Sequence, residues 1–230
     1  MSNIILSPHI DDAVFSCWYH IYYQPTTIIN VFAGLPPVNT NKLWDFLCGE
    51  TNGYKMMDLR KQENDLALSK TNAIYKYLDF LDNQYRRSKI NQDKLFYKIL
   101  NDIPKDEKPL ILVPLANSKI YKHPDHLLLQ QIGVKLANRK YRVGFYPDVP
   151  YMYYPSHISD KFLDKLVTKS SHLLNLDLKP VVNNLTVEDI KNRLAAAKSY
   201  KTQYTMTNLM ACNMLNSSLK RNYCLYLEAS

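Results

Sequence analysis

The stretch Asn3-Ile4-Ile5-Leu6-Ser7-Pro8-His9-Ile10-Asp11-Asp12-Ala13 decides the reading of this chain. Its first half is a short aliphatic run closed by Ser-Pro, the pattern of a buried strand that stops abruptly. Its second half places an imidazole and two carboxylates, His9, Asp11 and Asp12, at the carboxyl end of that strand. Ligands of open α/β sheets bind at that edge. If a helix starts in this turn, His9 and Asp12 share one side of it while Asp11 projects differently. One carboxylate is then available to hold a metal and the other to act as a base.

Working outward, Thr27–Phe32, Leu110–Val113 and Tyr141–Phe145 are further runs of Ile, Val, Leu or aromatics bounded by Pro, Gly or polar residues, and with Asn3–Ser7 they read as buried strands. Helical patterns lie between them. Leu95, Ile99 and Ile103 repeat at four-residue spacing, and Leu59 with Leu66 marks the apolar face of another predicted helix. A late helix is predicted from the capping sequence Thr186-Val187-Glu188-Asp189 to about Tyr204. Strands alternating with helices imply an α/β, Rossmann-like three-layer fold with a mainly parallel sheet covered on both faces. Residues 34–54 lack periodicity and carry Trp44 and Phe46, so a functional loop is expected there, shaping the acceptor side of a pocket.

A second cluster, His123-Pro124-Asp125-His126, follows the Leu110–Val113 strand and opens what reads as another helix, so its side chains are expected at the same sheet edge. Two imidazoles and a carboxylate drawn from two strand ends are the donor set of a catalytic zinc, which keeps a position open for water. Each piece has an ordinary reading as well. An isolated His at a strand end is commonly a hydrogen-bonded residue, and adjacent aspartates commonly cap helices.

The rest of the composition narrows the class. The 230 residues suit one domain, 1–230, with a well-buried core. The four cysteines form no C-x-x-C pair, and the N-terminus lacks the basic region and cleavage site of a secretory signal, so a cytoplasmic protein with reduced thiols is expected. No membrane span is expected, because no stretch approaches ~20 apolar residues. The net charge of +8 is scattered rather than arranged as a stripe, so no nucleic-acid partner is expected.

With both clusters in view, the chain resembles the PIG-L/LmbE-like zinc deacetylases, which include enzymes acting on N-acetylglucosaminyl conjugates. Ser7 to Ala13 is similar to their Ser-Pro-His-x-Asp-Asp-Ala motif, and His123 to His126 to their His-x-Asp-His motif. Weaker matches at Arg60-x-x-Glu63, Asp82-x-x-Tyr85-Arg86, Phe145 to Tyr151 and Lys198 to Gln203 spread the resemblance over nearly the whole chain. It implies one Zn2+ per chain held by His9, Asp12 and His126, with Asp11 as general base. It further implies that a protonated His123, oriented by Asp125, stabilises the tetrahedral intermediate. Arg60 and Asp82 would contact sugar hydroxyls and Tyr121 the acetyl oxygen of an amino-sugar or glycoconjugate substrate. Many members carry Glu where Ala13 stands, and small residues where Trp18 stands.

Two other functions stay open at the level of sequence. A metal-dependent phosphoesterase would need further bridging carboxylates and two metals per chain. A non-catalytic carbohydrate-binding relative would keep the scaffold without turnover. Arg60 and Glu63, one helical turn apart, also fit an ordinary surface ion pair.

Overall fold

The computed structural model describes residues 2–104, 107–116, 123–151, 155, 157–210 and 214–230. Within them the order is β1 (Asn3–Ser7), α1 (Asp12–Ser16), α2 (Trp18–Tyr23), β2 (Thr26–Asn30), α3 (Leu43–Leu47), α4 (Gly53–Leu68), β3 (Ile74–Tyr77), a 3₁₀ turn (Asn83–Tyr85) and α5 (Gln92–Asn101). There follow β4 (Leu110–Leu115), α6 (Pro124–Asn138), β5 (Val143–Pro147), α7 (Asp160–Leu174), β6 (Leu178–Asn184), α8 (Val187–Ser199), α9 (Lys201–Met210), α10 (Met214–Leu219) and β7 (Tyr223–Ala229).

The strands form one seven-stranded sheet in the order β3-β2-β1-β4-β5-β7-β6. The first five are parallel, and β7 runs antiparallel to both β5 and β6. Side chains alternate across the sheet, so Ile4 and Leu6 of β1 join a core with α5, α6 and α7, while Ile5 joins a second core with α1, α2, α4 and α8. The fold is therefore the three-layer α/β arrangement expected, with a mainly parallel sheet. Among the described residues no helix is long and apolar enough to cross a membrane.

Two readings are corrected. The Leu59/Leu66 face of α4 points outward, with Leu66 64% exposed, and the helix instead buries Met56, Met57, Arg60, Glu63, Asn64 and Ala67. The polar members of that face have partners: Tyr200 and Tyr77 hydroxyls meet Asn64, and Thr202 donates to Glu63 through both its amide and its hydroxyl. Arg60 consequently makes no surface pair with Glu63. The late helix starts on the predicted Thr186 cap, closed reciprocally by Asp189, but breaks at the buried Tyr200 before α9 begins. The non-periodic segment holds the short helix α3 and gives way to α4 at Gly53.

Candidate active site

β1 lies between β2 and β4, so the chain leaves it in one direction and returns on its other side, which opens a crevice at the carboxyl ends of the strands. The first cluster forms in the turn that leaves β1. The Ser7 hydroxyl donates to the His9 carbonyl at 2.6 Å and accepts the Ala13 amide at 3.0 Å, and the His9 amide donates to Asp12 Oδ2 at 2.8 Å. This stapled turn starts α1 at Asp12 with Asp11 at its N-cap. The second cluster opens α6, with His123 as N-cap and Pro124 in the first turn.

The two turns bring three donor atoms together. His9 Nδ1 is 3.3 Å from Asp12 Oδ2, His126 Nε2 is 3.4 Å from the same oxygen, and the two nitrogens are 3.2 Å apart. A tetrahedral zinc with bonds of about 2.0–2.1 Å requires donor separations of about 3.3–3.4 Å, so this N₂O set fits a metal in both spacing and chemistry. Neighbouring groups widen the possibilities. His9, His123 and His126, and separately Asp12, His126 and Asp148, also place donor atoms within 4.8 Å of one another.

Outer carboxylates fix the imidazoles. His126 Nδ1 is 2.6 Å from Asp148 Oδ1, a residue only 2% exposed just beyond β5, which puts the proton on Nδ1 and leaves Nε2 as the donor atom. His9 Nε2 is 3.2 Å from Asp125 Oδ2 and turns Nδ1 toward the trio. Burial alone would strip the protons from His9 and His126. The carboxylates of Asp82 and Asp12, with Asp125, overcome it at His9, and those of Asp148 and Asp12 at His126, so both imidazoles are raised above their ordinary value.

Asp125 meets His123 through its backbone, and its carboxylate has other partners. Its carboxylate accepts from His9, from the Asn83 amide at 2.9 Å and from Arg86, while its contact with His123 runs from its own backbone amide to His123 Nδ1 at 3.3 Å. Although burial opposes its charge, His9 and Arg86 hold it down at about 2. Burial, together with His9 and His126, pushes the His123 imidazole down to about 2, which opposes the protonated form expected for it. With Nδ1 accepting the Asp125 amide, its proton sits on Nε2. The Tyr151 ring closes this side, edge-on to His126 at 5.4 Å between centroids.

Beside His9 a small cleft open to solvent is lined by Asp11, Phe32, Arg60, Tyr200 and Gln203 among others. Burial and the adjacent Asp12 push the Asp11 carboxyl up to about 6, against the pull of His9 and Arg60. Arg60, 5% exposed, has Nη1 at 3.6 Å from Asp82 Oδ2 and Nη2 at 3.6 Å from Asp45 Oδ1. The structure thus gathers His9, Asp11, Asp12, Arg60, Asp82, His123, Asp125 and His126 around one crevice. Tyr121 lies outside the described residues. Asp45, Arg86 and Asp148 were not singled out from the sequence as site residues. Of these, Asp148 stands at a strand's carboxyl end, the same signal that marked the two clusters. Trp44 reaches the cleft wall through Nε1 to Gln203 Oε1 at 3.2 Å, whereas Phe46 is 63% exposed and points away from its helix's buried side.

No family model and no curated protein matches the chain in sequence. Solved structures do resemble it. A deacetylase of teicoplanin biosynthesis aligns over 100% of this chain and 98% of its own, with a TM-score of 0.75 at 17% identity. The same figures hold for a zinc-inhibited form of teicoplanin deacetylase Orf2. The A40926 pseudoaglycone deacetylase Dbv21 aligns over 98% of this chain and 95% of its own, with a TM-score of 0.67 at 23% identity. N,N'-diacetylchitobiose deacetylase from Pyrococcus horikoshii aligns over 99% and 83%, with a TM-score of 0.56 at 13% identity. At these identities the likeness is one of fold.

Proposed function

We propose that residues 1–230 form one LmbE/PIG-L-type domain, a zinc-dependent N-deacetylase that hydrolyses the acetamide of an amino sugar or glycoconjugate to amine and acetate. The observation that carries this reading is the triangle of His9 Nδ1, Asp12 Oδ2 and His126 Nε2, with sides of 3.2–3.4 Å, at the switch point of the sheet. That solved structures of this fold include a deacetylase of teicoplanin biosynthesis, the A40926 pseudoaglycone deacetylase and N,N'-diacetylchitobiose deacetylase supports it.

His9, Asp12 and His126 would hold the zinc, which supplies polarisation of the acetamide carbonyl and acidification of a water. The chain's own groups do the rest. Asp11, with a carboxyl near 6, takes the proton of the attacking water as its oxygen bonds to the carbonyl carbon, and returns it to the nitrogen as the C–N bond breaks. His123, whose Nδ1 accepts the Asp125 amide, would offer its Nε2–H to the oxyanion. Asp125 and Asp148 hold His9 and His126 in the tautomers that face the triangle. Arg60 and Asp82 meet sugar hydroxyls along the cleft.

Acetate release from N-acetylglucosamine and diacetylchitobiose, measured on metal-stripped protein with and without added zinc, tests the reading. Zinc-dependent release with one metal per chain is the expected result. Absence of release from every N-acetylated sugar, or release indifferent to chelation, refutes it.

A further inference from the structure

Helix α3 is inverted. Its Leu43, Phe46 and Leu47 are 74%, 63% and 42% exposed, while its one carboxylate, Asp45, is 0% exposed. A carboxylate is costly to bury without partners, and those of Asp45 converge from the site. The Tyr85 hydroxyl donates to Oδ2 at 2.8 Å, Gln84 Nε2 donates to Oδ1 at 3.3 Å, and Arg60 Nη2 stands 3.6 Å from Oδ1. The packing is tight: a Cβ on Gly53 would meet the Tyr85 ring at 2.7 Å and Asp45 Oδ2 at 3.1 Å.

The guanidinium that Asp45 meets is itself unfinished. Arg60 Nε and Nη2 are buried with no hydrogen-bond partner, and the side chain lines the cleft beside Asp11. Asp82 on one side and Asp45 on the other balance its charge without consuming those donors. Buried donors left unspent are expensive unless an incoming oxygen takes them.

We propose that Asp45 is a positioning residue: pinned by Tyr85, it aims Arg60 at the cleft, so that α3 governs the affinity for the hydroxyl-bearing acceptor. This rests on the amino-sugar reading above. Asp45 acts through Arg60 on a part of the substrate remote from the acetamide, so its loss weakens binding with little effect on the chemical step.

The test uses the full chain as wild type, Asp45→Asn, Arg60→Gln and the double variant. N-acetylglucosamine affinity by calorimetry, KM and kcat for acetate release, zinc content and thermal unfolding are read in parallel. Asp45→Asn keeps the shape and the Tyr85 contact, and is expected to weaken sugar binding and raise KM about 10-fold, the scale of one charge-assisted hydrogen bond. Its kcat stays within about 2-fold and its zinc content is unchanged, as remote binding predicts. The double variant binds no more weakly than Arg60→Gln alone, because the two act as one unit. Tyr85→Phe, which frees the carboxylate without removing it, gives a smaller loss of the same kind. Wild-type affinity in Asp45→Asn, or losses that add to those of Arg60→Gln, overturns the proposal. A wild-type chain that binds the sugar without releasing acetate overturns the deacetylase reading while leaving the Asp45 test readable. One that neither binds nor releases overturns both.

Discussion

Asp148→Ala should weaken zinc binding without touching any atom of the proposed ligand triangle. Asp148 is 2% exposed and holds His126 Nδ1 at 2.6 Å, so it fixes both the rotation of the imidazole and the nitrogen that carries its proton. Loss of such an outer carboxylate typically costs about 10–100-fold in metal affinity, or ~1.4–2.7 kcal/mol. The structure orders the variants within that range. Asp148→Asn retains an oxygen that accepts the Nδ1 proton and loses only the charge, so it belongs near the 10-fold end. Asp148→Ala also frees the ring to rotate and to protonate at Nε2, and belongs near the 100-fold end. Competition against a chromophoric zinc chelator, at one fixed neutral pH, measures both affinities directly. Circular dichroism establishes that the folds are comparable. An Asp148→Ala variant with wild-type zinc affinity would refute the assignment of His126 Nε2 as a ligand held in place from behind.

Asp11→Asn should keep its zinc and lose acetate release by about 10²–10⁴-fold, the usual contribution of a general base, whereas Asp12→Asn should lose zinc; metal loss in the former instead would mean the adjacent carboxylates had been assigned the wrong way round. Gly34→Ala should destabilise by about 1–3 kcal/mol in denaturant unfolding, since its Cβ would fall 2.3 Å from the Asp79 carbonyl oxygen, backbone that cannot step aside; an unchanged midpoint would show that it can. Burial lowers the proton affinity of His20 below its ordinary 6.5, partly offset by its hydrogen bond to Gln24. The unfolded chain therefore binds the extra proton, and stability present at neutral pH is lost as pH falls through about 6.5 toward the lower folded value. His20→Gln should reduce the stability difference between neutral and mildly acidic pH, and an undiminished difference would place the acid sensitivity elsewhere.

The two strands that carry the triangle, β1 and β4, were readable because each is a compact aliphatic run stopped by a polar or proline-containing turn. The strands that were not read differ in kind. β3 and β6 are the sheet's edges, and β6 exposes Lys179 and Pro180, so neither offers a continuous apolar run. β7 is apolar enough, but its place depends on antiparallel pairing with β5 and β6, which no local pattern encodes. Helix α4 misled for the opposite reason. Its inward face keeps helical spacing at Arg60, Glu63, Asn64 and Ala67 but is largely polar, and hydrophobic periodicity cannot find a face buried by hydrogen bonds and ion pairs. Asp45 was invisible on the same ground, since what buries it is contributed from Gln84, Tyr85 and Arg60.

The site residues, by contrast, share one location, and the location has a cause. His9, Asp11 and Asp12 leave the end of β1, Asp82 follows β3, His123 to His126 follow β4, and Asp148 follows β5. Groups from several adjacent strands therefore meet over one edge, and the distances between them are set by the spacing of about 4.8 Å between parallel strands rather than by any single loop. Loops around such a site can change in length and composition while the triangle persists. A one-residue slip of β1 against β4 is different. It would exchange the faces of Ile4, Ile5 and Leu6 between the two cores and carry His9 and Asp12 out of reach of His126. The two cores that hold the β1–β4 register are consequently part of the site's geometry: the burial of Ile5 on one side and of Leu6 on the other is what keeps donor atoms from separate strand ends 3.2–3.4 Å apart.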